Sequence, residues 1–157
     1  MTLYDFVKWL HILSSTVLFG TGLGTAFHLW VSHRRGSPNQ IALAARNTVL
    51  ADWLFTLPSG VVQPLTGFWM IWLAGWDVWA SWLVASYALF VLALGCWLPV
   101  VAIQIKAHRL AQAADRTDTN LPDRFYRLMR YWFWLGWPAF IGLIAIFALM
   151  VAKPVLW

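Results

Sequence analysis

Four stretches of this chain are apolar almost without interruption, over about 3–31, 49–74, 78–105 and 131–152. Crossing a hydrocarbon core of about 30 Å takes roughly 20 helical residues, and each stretch reaches that length. In lipid every backbone N–H and C=O needs an internal partner, which leaves helices and closed barrels as the structures that span. Runs this continuous lack the in–out alternation of barrel strands. The pattern predicts an all-α integral membrane protein: a four-helix bundle forming a single transmembrane domain over 1–157.

The connections predict how the bundle sits. Segment 32–46 carries Arg34, Arg35 and Arg46, and segment 106–130 carries Lys106, Arg109, Arg116, Arg124, Arg127 and Arg130. The tight turn at Gly75-Trp76-Asp77 carries no basic residue. Nine of the 11 Lys and Arg residues therefore fall at one end. The positive-inside bias makes that end cytoplasmic, with 106–130 as a cytoplasmic loop and both termini outside, an N-out/C-out arrangement. Within the loop, 105–114 reads as an extension of the third helix and 116–121 as a break. Asn120, Pro122 and Asp123 then mark a start that runs into the fourth span. Trp9, Trp69, Trp72, Trp76, Trp79, Trp82 and Trp157 fall near the outer boundary, and Trp30, Trp53, Trp132 and Trp134 near the inner one, as two interfacial belts.

Composition agrees. Hydrophobic residues make up 61% and charged residues 11%, against roughly 45–50% and about 25% in soluble proteins. There are 13 Trp and no Glu. The net charge of +5 follows from membrane topology and does not point to nucleic acid. The single Cys, Cys96, lies in an apolar run and has no intrachain disulfide partner. The N-terminal apolar stretch is long and lacks a basic leading segment, so it reads as a retained helix and not a cleaved signal.

Polar groups inside a membrane are costly and mark sites or interhelical contacts. On helix one, Lys8, His11 and Ser15 are three and four residues apart and share a face. Gly20, Gly24 and His28 follow at intervals of four on the other side, a spacing that permits close helix contact. On helix two, Asp52, Thr56, Ser59, Gln63, Thr66 and Met70 form one stripe, flanked by Pro58 and Pro64. The stripe serves either as interhelical glue or as the polar wall of a cofactor pocket or proton path. Asp52 is expected near the level of His28, where an Asp–His pair passes protons or makes a structural hydrogen bond. Neutral imidazole is the commonest metal ligand, which makes His11 the natural axial-ligand candidate; the alternative is a His hydrogen-bonded to another helix. Helix three adds Tyr87, Cys96, Pro99 and Gln104. His33 and His108 are expected as solvated residues of the cytoplasmic layer. No CxxC, zinc-type spacing, P-loop or dinucleotide fingerprint occurs.

Two resemblances bear on these residues. Tyr4-Asp5-Phe6-Val7-Lys8-Trp9-Leu10-His11-Ile12, then Leu18-Phe19-Gly20 and His33, resembles the first helix of the HemJ family of bacterial membrane protoporphyrinogen oxidases. Copper-resistance D-type membrane proteins have related first helices. The resemblance implies b-type haem held by His11 with Lys8 as a functional residue, and it covers about the first fifth of the chain. The sequence departs from HemJ in lacking an Arg late in helix one, where His28 stands. Over the whole chain, Gly20-Thr21-Gly22-Leu23-Gly24, Asp52-Trp53-Leu54-Phe55-Thr56, Gln63-Pro64-Leu65-Thr66-Gly67 and Cys96-Trp97-Leu98-Pro99-Val100-Val101 are similar to a bacterial family described as predicted integral membrane proteins.

These readings converge on a haem b-binding protein of the bacterial cytoplasmic (inner) membrane, a haem-dependent oxidoreductase exchanging electrons with quinone. Lys8 and Asp52 are its candidate catalytic groups. His11, Ser15, Gln63 and Met70 are its candidate cofactor residues, with His11 as the metal ligand. A homo-oligomer or a partner membrane protein is expected beside the lipid bilayer. The alternatives are a non-enzymatic accessory or assembly subunit, and a metal-ion or small-solute transporter.

Overall fold

The computed structural model describes residues 1–157 and contains helices and turns but no strand. Helix α1 (Leu3–Arg35) opens with a capping box, in which Asp5 N–H donates to Thr2 Oγ1 and Thr2 N–H donates to the Asp5 carboxylate. Helix α2 (Pro38–Ala51) starts the same way from Ser37 and Gln40, with Pro38 in the first turn where its missing N–H does no harm. A π-helical segment (Asp52–Thr56) then leads without a break into α3 (Leu57–Ala74), so 38–74 is one continuous rod. Helices α4 (Ser81–Arg116) and α5 (Asp123–Ala152) complete the chain.

Segment 32–46, expected as a loop, is largely helical, whereas 106–130 shows the expected helical extension, break and restart. Residues 32–35 end α1, 38–51 form α2, 106–116 end α4 and 123–130 begin α5. Apolarity marks only the part of a helix that suits lipid. The polar continuations stay helical because Ala-, Gln- and Arg-rich sequence favours helix and a second core holds it. That core is the largest in the protein and lies at the basic end. Leu29 of α1, Ile41, Ala44 and Ala45 of α2, Ile103, Ala107 and Ala111 of α4, and Phe125 and Met129 of α5 are buried together. Ile41, Ala45 and Thr48 follow one another on α2 at steps of four and three, as do Ala107, Ala111 and Ala114 on α4, and all six are buried. Residues so spaced share one helix face, and the small ones among them let these helices approach closely.

The membrane-crossing lengths are different. Helices α1, α4 and α5 are long and apolar enough to cross a bilayer, yet only 0%, 28% and 6% of their most apolar windows are buried in protein. Lipid covers the rest, and apolar surface gains nothing by leaving lipid for protein. The stretch 49–74, whose apolarity predicts a crossing as well, is divided among the end of α2, the π-helical segment and α3, and its polar stripe keeps it outside that group of three.

Side by side, α4 packs along α5, α2 along α4, and α1 along α3. Gly142 of α5 packs against α4: a Cβ there would lie 3.6 Å from the Leu89 carbonyl oxygen. Gly20 and Gly24, expected at a close helix contact, face open space within the monomer, whereas Gly22 meets the Phe140 ring. At the other end, Gly75 closes α3 in the left-handed conformation at φ +66°, which suits a residue without Cβ. Ile71, Trp82 and Leu83 form a small core under that turn, and the Lys153 ammonium sits 4.1 Å above the Trp76 ring.

Candidate functional site

The stripe of the 38–74 rod turns inward. Asp52, Thr56, Ser59 and Thr66 are buried, and Gln63 and Met70 are half-buried. The stripe supports two polar centres, one near each of its ends. Fourteen residues separate Asp52 from Thr66, about 21 Å along a helix.

The first centre joins α1 to α3. Thr66 Oγ1 donates to the Val62 carbonyl oxygen at 2.7 Å, and His11 Nδ1 lies 2.8 Å from the same Oγ1. A hydroxyl has one proton to give, so Thr66 accepts from His11. That assignment puts the imidazole proton on Nδ1 and leaves the Nε2 lone pair unused. Gly67 makes room for the ring, since a Cβ there would stand 3.5 Å from His11 Cε1. Gln63 Nε2 donates to the His11 carbonyl oxygen at 2.8 Å and also meets Ser14 Oγ. Ser14 Oγ in turn donates to the His11 carbonyl at 3.1 Å. A carbonyl in the first turns of α1 thus accepts two side-chain donors, and His11 is held through its ring and through its backbone.

The candidate residues divide around this centre. His11, Gln63 and Thr66 come together. Ser15 does not bond to Gln63; its hydroxyl turns back to the Ile12 carbonyl at 2.7 Å, and it faces Gln63 only across a cavity of ≈ 30 Å³ shared with Leu18 and Phe90. Lys8 is exposed, one turn from His11. Met70 lies one turn beyond Thr66. Ser14 and Gly67 carry weight that sequence reasoning missed. Ser14 is three residues from His11, a spacing that signals a shared face, but Ser15 at four competes for the same role.

The second centre lies where the rod enters its π-helical turn. The Leu57 N–H reaches the Asp52 carbonyl, a five-residue span that widens the helix, and Pro58 contributes no N–H to a tighter ladder. The widened turn carries Asp52, which is 4% exposed. With its nitrogen toward the carboxylate, the Gln104 amide donates to Asp52 Oδ2 at 2.8 Å and accepts from Trp132 Nε1 at 3.2 Å. Gln104 thus bridges the rod to α5. Thr56 and Trp97 also stand beside the carboxylate, although Thr56 Oγ1 and Trp97 Nε1 are buried without a well-formed hydrogen bond.

Three expectations change here. Asp52 pairs with Gln104 and not with His28, which is exposed on α1. Trp132 and Trp82, expected in the two belts, are instead buried in the cores at either end, 6% and 8% exposed. His33 and His108 are half-buried and not simply solvated: His33 Nδ1 donates to the Trp30 carbonyl at 3.0 Å, and His108 Nδ1 donates to the Ala42 carbonyl at 2.9 Å, tying α4 to α2. No group of three or more His, Cys, Asp or Glu side chains converges on one point.

Apolar spanning helices outside, a polar seam inside and a positively charged end define an integral membrane protein that lives in a lipid bilayer. The chain belongs to the family described as predicted integral membrane protein (DUF2269), matched over residues 5–154. No curated protein and no solved structure matches it.

Proposed function

We propose that this protein binds b-type haem in the bacterial cytoplasmic membrane and takes part in membrane redox chemistry, with His11 as an axial ligand. One observation carries the reading: Thr66 holds Nδ1–H of His11, so Nε2 presents its lone pair in a fixed direction. Ligating imidazoles are commonly prepared this way, with the second ring nitrogen donating to a neighbouring oxygen. Haem would supply one-electron chemistry, with quinone as a membrane-soluble partner. The donor chemistry fits. The enclosed space does not, because the cavity beside Ser15 and Gln63 is ≈ 30 Å³, far smaller than a porphyrin. Met70 is the thioether available on the same stripe as a second ligand, and a second copy of the chain is the other source. Lys8, exposed one turn from His11, is suited to meet an anionic edge. Asp52 is the one carboxyl of the seam and its candidate proton carrier.

The reading includes a four-span bundle with both termini outside. Its support is the placement of nine Lys and Arg residues at the α1–α2 and α4–α5 connections. It includes a homo-oligomer, supported by the open Gly20 and Gly24 face of α1.

A second reading, a non-enzymatic accessory subunit, is favoured by the small cavity and by the use of Gln63 and Thr66 in hydrogen bonds between α1 and α3. A reduced-minus-oxidised spectrum of the protein purified in mild detergent separates the two. A b-type α-band that His11→Ala removes supports the haem reading. A flat spectrum from folded, haem-supplied protein leaves the accessory reading standing.

A further inference from the structure

A second cleft lies far from His11. It opens at the basic end, between the last turns of α1 and the first turns of α2, with a volume of ≈ 330 Å³. Clefts that take small ligands run about 300–1,000 Å³. His28, Ser32 and Arg35 line it from α1 at steps of four and three, and so share one helix face. Gln40 faces them from α2. Its Oε1 accepts the Ser37 N–H at 3.0 Å, which leaves its Nε2 to donate. No carboxylate lines the cleft, while Val31, Leu43 and Ala44 give it an apolar side.

The cleft also has a direction. Seven residues separate His28 from Arg35, so His28 lies about 10 Å deeper toward the apolar length of α1. Leu43 and Ala44 likewise lie about one turn below Gln40. Cationic and amide donors stand at the mouth, an imidazole stands deeper, and apolar side chains flank it. That order matches an anionic glycerophospholipid: phosphodiester at the surface, ester carbonyls below it, then acyl chains. Arg34 does not compete for the cleft, since its guanidinium stacks 5.0 Å from the Trp30 ring centroid.

We propose that this cleft is a binding site for one anionic phospholipid, its phosphodiester held by Arg35, Ser32 and Gln40 and its ester region by His28. The proposal is independent of the haem reading, because no residue is shared between the two sites.

The test is native mass spectrometry of the full chain in detergent with equimolar dioleoylphosphatidylglycerol and dioleoylphosphatidylcholine. The expected result is preferential retention of phosphatidylglycerol. Arg35→Gln should lower that preference about fivefold, the effect of one basic residue at an anionic surface. His28→Ala should lower it in the same direction, whereas Arg116→Gln, at the same end but outside the cleft, should leave it unchanged. His28 and Arg35 are both exposed, so both variants should melt like the parent. Three results overturn the proposal: no preference between the lipids; an equal loss in Arg116→Gln, which would mean diffuse surface charge; or displacement of the lipid by inorganic phosphate, which would mean a free-phosphate site.

Discussion

Replacing Gln104 by Leu tests the seam where its energetics are most exposed to measurement. The Gln104 amide serves two buried groups at once, the Asp52 carboxylate at 2.8 Å and the Trp132 indole N–H at 3.2 Å. Leu keeps nearly the same volume and supplies neither bond. Asp52 is 4% and Trp132 6% exposed, so neither recovers a partner in water. Leaving a buried polar group unpaired costs about 1–3 kcal/mol, more for a charged one. Asp52 keeps only the poorly placed Thr56 and Trp97 donors beside it, which sets its loss at the low end of the range. The two losses together come to about 2–6 kcal/mol. For a chain of this size each kcal/mol lowers Tm by roughly 2–4 °C, so Gln104→Leu should melt on the order of 10 °C below the parent in detergent. The double variant Asp52→Leu/Gln104→Leu removes the carboxylate as well and leaves only the indole orphaned. It should therefore be destabilised by less than the sum of the two single variants, by about 2–6 kcal/mol, because both the orphaned carboxylate and the orphaned amide of the single variants are gone. A Gln104→Leu protein that melts within about 2 °C of the parent, or strictly additive single variants, would refute the bridge.

Thr66→Val keeps the shape of the α1–α3 contact but removes the oxygen that orients His11; apparent haem affinity in a spectroscopic titration should fall about ten- to a hundredfold, and an unchanged affinity would mean the ring needs no such partner. Gly36→Ala should destabilise by about 1–3 kcal/mol, because its Cβ would approach the Ser32 carbonyl oxygen at 2.6 Å; a melting curve identical to the parent's would count against the tight α1–α2 connection. Gly142→Leu should lower the melting temperature by forcing α4 from α5, while Gly24→Leu, with nothing within 4 Å of its Cβ, should leave the monomer's melting temperature unchanged and reduce crosslinking between copies if they meet on that face.

The inward stripe was legible because its spacing of three and four survives in the structure: Asp52, Thr56, Ser59 and Thr66 are all buried. The π-helical turn adds a residue's worth of rotation early in that stripe, yet the same residues still face inward. His11 stood out because an imidazole in an apolar run needs either a ligand or a partner on another helix. Its partners did not stand out. Sequence spacing places residues on a helix face but says nothing of which helix that face meets, so Thr66 and Gly67 opposite His11, and Gln104 opposite Asp52, appear only once the rods are packed. The expected His28–Asp52 pair failed for the same reason. Equal depth in the membrane is not contact, and the intervening rotation puts His28 on an exposed face.

What the sequence by itself determined was the solvent. Long apolar runs, 11% charged residues and a one-sided distribution of Lys and Arg require lipid around the helices, because free energies of transfer depend on composition and length alone. What only the tertiary structure decided was partnership. It packed the basic segments against one another through an alanine-rich core, and it set His11 against Thr66. It also brought Asp52 to an amide from one helix and, through it, to an indole from another. Hydrogen bonds act over about 3 Å, and distances that short between residues far apart in the chain are set by packing, not by order along it.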